Sequence, residues 1–152
     1  MTAPGRVPTP AVVLVVLGGA IWVAAGVLYG AEVISCFSCG SVVVAPGIDP
    51  ADFSSGAIRA LAWDALYANV YIATIGLLAI AIGLTAFRRG RRWAWYAIGV
   101  VALAGILTAV LDELSWGGWF TFLALGLPAL LGLALSAPSS LGERGAGAGP
   151  AR

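Results

Sequence analysis

Two cysteines three residues apart, in Cys36-Phe37-Ser38-Cys39, are the residues best suited to covalent chemistry in this chain. A CxxC pair cycles between dithiol and disulfide, or closes as a structural bridge. These are the only cysteines present, so a relay through a second pair is excluded. They also follow an apolar helix, and the negative end of a helix dipole disfavours a thiolate. A structural disulfide, or two thiols of no consequence, is therefore the favoured reading, and an outward-facing thiol-disulfide redox role is the alternative. A zinc site takes about four ligands rich in Cys and His. The chain has no histidine, and neither a metal nor a cofactor is expected.

A second candidate set is polar. Asp64, Tyr67 and Tyr71 fall at i, i+3 and i+7, one face of a helix, which would aim a carboxylate and two hydroxyls into an opening between helices. Arg59 is near enough in sequence to pair with an acid there. Asp112 and Glu113 form a further acidic pair, and acids at a membrane edge gather cations or polar substrate groups. The simpler account is solvated interface residues. Arg88, Arg89, Arg91 and Arg92 surround Gly90 and can contact anionic lipid headgroups, worth about 1 kcal/mol per residue. There is no HExxH, no Gly-rich phosphate loop and no histidine for a triad. No catalytic residue is assigned.

The elements that must carry these residues are long and apolar. The chain is 61% hydrophobic and 10% charged with a mean hydropathy of +0.99, whereas soluble domains carry about 25% charge. Apolar stretches run over about 11–31, 61–87, 93–111 and 119–137. About 20 residues of helix cross a ~30 Å hydrocarbon core, and segments of this length satisfy their backbone groups only as helices. The charges are sorted between the linkers. Seven of the eight arginines lie at the termini or in the 88–92 linker, and six of the seven acids in the other two linkers or at their edges. The positive-inside rule then places both termini and the arginine linker in the cytoplasm. The fold class expected is all-α, an integral membrane four-helix bundle, in the plasma membrane and multi-pass. The absence of lysine and histidine, beside abundant alanine and glycine, fits the coding bias of a high-GC bacterium.

Residues 1–137 form one transmembrane domain in this reading, with an outer loop over 32–60 and a disordered cytoplasmic tail over 138–152. Asp49-Pro50-Ala51-Asp52 reads as a helix start within the loop. The short linkers make helices two, three and four consecutive antiparallel neighbours. Gly26 and Gly30 form a GxxxG, and Gly76 and Gly83 repeat at heptad spacing, both patterns that let helices approach closely. Pro128 should bend helix four. Tyr29, Trp63, Tyr67, Trp93, Trp95, Tyr96, Trp116 and Trp119 mark the segment ends as an aromatic belt, and Trp22 stands apart, deep in helix one. Asn69, Thr74, Thr85 and Thr108 are the polar side chains farthest from the ends.

Helix number and a CxxC near a membrane surface resemble the DsbB and vitamin K epoxide reductase families, and the likeness stops there because those enzymes relay electrons through a second cysteine pair. Val33-Ile34-Ser35-Cys36 is similar to a lipobox, but the apolar run before it exceeds a signal h-region and Glu32 adjoins it. Phe87-Arg88-Arg89-Gly90-Arg91-Arg92-Trp93-Ala94-Trp95, with the layout of residues 10–137, resembles the small four-helix membrane proteins of actinobacteria, broadly the DoxX-like group. That resemblance implies a fold and no reaction. The expected function is non-catalytic: an accessory or scaffold subunit whose partners are the lipid bilayer and other membrane proteins or itself, with no nucleic acid. A lipid or small-molecule binder using the Asp64, Tyr67 and Tyr71 face is a further alternative.

Overall fold

A computed structural model describes residues 6–39, 53–116 and 119–141, with side chains for all of these but 36–39, 108–109, 111–116, 119–125 and 138–141. Four helices and no strand occur among the described residues: α1 (Thr9–Cys39), α2 (Ser55–Ile82), α3 (Arg92–Trp116) and α4 (Trp119–Leu141). The stretches Thr9–Ser35 and Ser55–Phe87 are long and apolar enough to cross a membrane.

Each described helix end has a local cause. At α1, the Pro8 carbonyl accepts from Ala11 and Val12 at 3.0 and 3.3 Å, and Pro10 costs no hydrogen bond because first-turn N–H groups have no helical partner. At α2, extended Ser54 accepts the Ala57 N–H on its hydroxyl at 3.2 Å, an N-cap. The far end of α2 widens into one π-turn, Gly83–Phe87, then stops on Gly90 at φ 67°. There the Gly90 N–H reaches the Phe87 carbonyl at 2.8 Å and the Arg91 N–H the Ala86 carbonyl at 3.0 Å, a Schellman closure. The Arg91 carbonyl immediately starts α3 by accepting from Ala94 at 3.0 Å. A helix thus reverses direction across Arg88 to Arg91 with few backbone groups left over.

The elements run beyond the apolar stretches that announce them. α1 continues through Cys39, so the expected 32–60 loop is shorter at both ends, and the two cysteines lie in the last turn of a helix. α2 starts at Ser55, six residues before the apolar run. The Asp49 helix start lies outside the described residues. α4 runs through Pro128 and Pro138 without ending, so residues 138–141 are helical where a tail was expected, and 142–152 lie outside the described residues. Helix continuation needs no hydrophobicity, only compatible backbone, which is why hydropathy underestimates these lengths.

Packing centres on α1. It lies against both α2 and α4, and α4 lies against α3, whereas α2 and α3 touch little despite their short connection. This corrects the expectation that helices two and three are packed neighbours, while helices three and four are neighbours as expected. A short link restrains only the ends of two helices, and the small residues decide what packs along their length. Gly19 meets Gly76, Gly26 meets Asn69 and Ala73, and Gly83 meets Val15, all between α1 and α2. Gly132 meets Ala11 between α4 and α1, and Gly126 meets Ala102 and Ile106 between α4 and α3. The described core is made of Val7, Ala11, Val12, Val15, Ala79, Phe87, Ala94, Ile98, Ala102, Ala129 and Leu133, weighted toward the arginine end. Most large apolar side chains point the other way. Leu28, Leu77, Leu78, Val100, Leu103, Leu107 and Leu135 are all exposed.

Candidate functional site

The expected polar face of α2 exists. Asp64, Tyr67 and Tyr71 share one side of the helix, and all three are exposed, Tyr71 by 66%. They do not line an opening: the side of α2 that is covered carries Ala62, Asn69, Gly76 and Gly83, and these three residues lie roughly opposite. Trp63 and Tyr67 stand beside each other with ring centroids 6.0 Å apart. Arg59 is exposed and forms no ion pair with an acid among the described residues. The expected convergence of charge and hydroxyls is therefore a row on an outer surface.

Among the described residues, the polar side chains along the helices are satisfied nearby, Asn69 partly covered and Thr74 and Thr85 on exposed faces. Asn69 donates its amide to the Ala65 carbonyl at 2.9 Å, Thr74 its hydroxyl to Val70 at 2.8 Å and Thr85 to Ala81 at 2.6 Å. These bonds stay within one helix, each returning to a carbonyl four residues earlier. Ser136 is fully buried and donates to the Leu133 carbonyl at 2.9 Å. Trp95 adds a contact between helices, donating its indole N–H to the same carbonyl at 3.2 Å. Trp95 is half-buried, in edge contact with Tyr96 at 5.5 Å, so it joins α3 to α4 instead of standing in the outer aromatic row with exposed Trp93 and Tyr96. No fully buried side-chain nitrogen or oxygen lacks a partner among the described residues.

Where the helices converge, Gly18, Gly19, Trp22, Ala79, Ile98 and Ala102 surround a cleft of about 10 Å³. That is room for one water-sized sphere, and its walls are apolar. A quinone or another small molecule does not fit there. Trp22 fills the neighbouring space, its ring lying where a side chain on Gly105 would stand, 2.8 Å from the position of a Cβ.

The chain matches no known family model, no curated protein and no solved structure. What the geometry offers chemically is accordingly read from its own residues.

Arg88, Arg89 and Arg91 are exposed on the turn that joins α2 to α3, with Arg92 partly covered and Arg6 exposed before α1. Because α1 and α3 start here and α2 and α4 finish here, five guanidinium groups lie at one end of the helices. Cys36 and Cys39 sit at the other end by their position in α1. The side chains of Cys36, Cys39, Asp112 and Glu113 lie outside those described, as does that of Thr108. No group of three His, Cys, Asp or Glu side chains suited to a metal occurs among the described residues. Sequence reasoning missed Ser136 and the Trp95 to Leu133 bond. The first resembles any surface serine near a chain end, and the second needs the α3 to α4 register.

Proposed function

We propose that the chain is a multi-pass plasma-membrane protein of non-catalytic type, an accessory or scaffold subunit that packs with other membrane proteins or with copies of itself. The observation that carries this is the inverted distribution of size. Glycine and alanine fill the contacts between helices, while 23 large hydrophobic side chains among the described residues are exposed. In water each exposed Leu or Val forfeits about 1.5–3 kcal/mol of burial, and an apolar surface of this extent would drive association. In hydrocarbon it costs nothing, and close contact between small residues becomes the means of holding helices together. The sorted arginines support an orientation with the α2 to α3 turn and both termini in the cytoplasm. The resemblance of the sequence layout to the DoxX-like group is compatible with this reading and implies no reaction.

A scaffold role is favoured over catalysis because the cleft between the helices holds only about 10 Å³, and the hydroxyls of Thr74 and Thr85, on exposed faces, are already engaged on their own helix. The test uses the full chain with both cysteines replaced by serine and a single cysteine returned at Ser41 or at Arg89. The chain should stay in the membrane through alkaline carbonate extraction. Ser41→Cys should react with an impermeant maleimide in intact cells, and Arg89→Cys only after permeabilisation. Purification in mild detergent should retain stoichiometric protein and no small molecule. Extraction by carbonate would overturn the membrane reading, and a stoichiometric bound ligand would overturn the scaffold reading.

A further inference from the structure

α2 is a peripheral helix, covered by α1 on one side and open on the other. Its open side carries Trp63, Tyr67, Val70, Thr74, Leu77 and Ala81, all exposed, at alternating spacings of four and three. That is the 3.5-residue period of a left-handed helix pair. A neighbouring row through Asp64, Tyr71 and Leu78 is also exposed, and two charges decide between them. With the first row as the seam, Arg59 and Asp64 occupy the flanking positions g and e. They are five residues apart, which is wrong for a pair on one helix, where partners lie three or four apart. It is the separation at which a g residue meets the next e residue of a parallel partner.

From this we infer that the exposed seam of α2 is the interface of a homodimer, in which α2 packs parallel to α2 of a second copy and Arg59 of each copy pairs with Asp64 of the other. The inference rests on the reading that α2 crosses a membrane. Copies inserted in one orientation are necessarily parallel, so a two-fold axis along the membrane normal brings the same seam from each side and forms both ion pairs at once. Thr74 already satisfies its hydroxyl within its own helix, and together with Ala81 it keeps the second half of the seam narrow enough for close approach. A second copy is the occupant because the surface carries both signs in the register that completes itself.

The test uses the full chain in cell membranes, with Cys36→Ser, Cys39→Ser and Thr74→Cys, oxidised by copper phenanthroline. A disulfide-linked dimer is expected from Thr74→Cys and not from Ala68→Cys, which is exposed on another side of the helix. Arg59→Asp or Asp64→Arg alone should lower the Thr74→Cys dimer about ten-fold by setting like charges together in two places. Co-expressing these two reversed chains should restore it, since each then supplies the charge that the other needs, and that recovery also shows that both variants fold. Equal cross-linking at residues 68 and 74, indifference to both reversals, or cross-linking of Thr74→Cys to a different protein would each overturn the homodimer. A chain extracted by carbonate would overturn the membrane reading together with it, whereas a chain retained in the membrane without seam cross-links would overturn the dimer alone.

Discussion

Gly19 and Gly76 face each other so closely that neither position has space for a methyl group. A Cβ on Gly19 would stand 2.8 Å from the Gly76 carbonyl oxygen, and one on Gly76 would stand 2.6 Å from the Gly19 carbonyl oxygen. Backbone cannot swing aside as a side chain can, so Gly76→Ala should force α1 and α2 apart and cost about 1–3 kcal/mol. Unfolding of the purified protein in mixed detergent, followed by helical circular dichroism, measures this.

The GxxxG of α1 should split under the same treatment. A Cβ on Gly26 would fall 2.5 Å from the Asn69 carbonyl oxygen, but one on Gly30 would meet nothing nearer than 3.6 Å, an ordinary contact. Gly26→Ala should therefore destabilise like Gly76→Ala. Gly30→Ala should be neutral or stabilising, because it removes a helix-propensity cost of up to about 1 kcal/mol. Equal loss at both positions would show that the motif acts as a unit.

This contrast marks what was legible in the chain. Helix number and apolar character followed from the length of the runs, and Gly76 and Gly83 announced a close approach by their spacing. Spacing did not distinguish Gly26 from Gly30, because the distance between two helix axes changes along a crossing and a repeat of four residues carries no information about where the axes are nearest. The side-by-side order of the helices was hidden for a related reason. Linker length bounds the separation of helix ends, whereas the pairing of α1 with both α2 and α4 depends on which faces carry the small residues. The Asp64, Tyr67 and Tyr71 row was legible as a face, but its direction was not, since a helical period gives relative angles and no origin.

Trp95 and Ser136 share one acceptor, the Leu133 carbonyl, at 3.2 and 2.9 Å. Trp95→Phe keeps a smaller aromatic ring and loses the inter-helix bond, for an expected cost of at least the bond's own value of about 0.5–1.5 kcal/mol. Ser136→Ala removes the buried hydroxyl that donates to the same oxygen from within one turn. Because both donors serve the same oxygen, the double variant should depart from the sum of the single ones by about 0.5 kcal/mol or more. Additive losses would mean that the two bonds do not sense each other.

Gly90 ends α2 at φ 67°, a conformation that costs other L-residues about 1–2 kcal/mol. Gly90→Ala should lower stability by about 1 kcal/mol, and Gly90→Asn by less, since asparagine tolerates this region. The guanidinium groups on either side remain in both variants, so cysteine-labelling topology should be unchanged. A topology change in Gly90→Ala would assign the turn geometry a part in orientation that the reading above gives to charge.

Cys36 and Cys39 separate the scaffold reading from its redox alternative. Both lie in the last turn of α1, at the end of the helix where the dipole disfavours a thiolate and therefore nucleophilic attack. If the pair is structural or inert, Cys36→Ser and Cys39→Ser together should leave membrane retention and the oligomer unchanged, apart from a stability loss of up to about 2 kcal/mol should the two close as a disulfide around so short a loop. A redox pair behaves differently, because removing one thiol strands the other in a mixed disulfide with its substrate. Intact cells expressing each single serine variant, quenched in acid, then alkylated at neutral pH and resolved without reductant, should show only the chain itself. A reducible adduct with a second protein in either variant would move the pair from structure to catalysis.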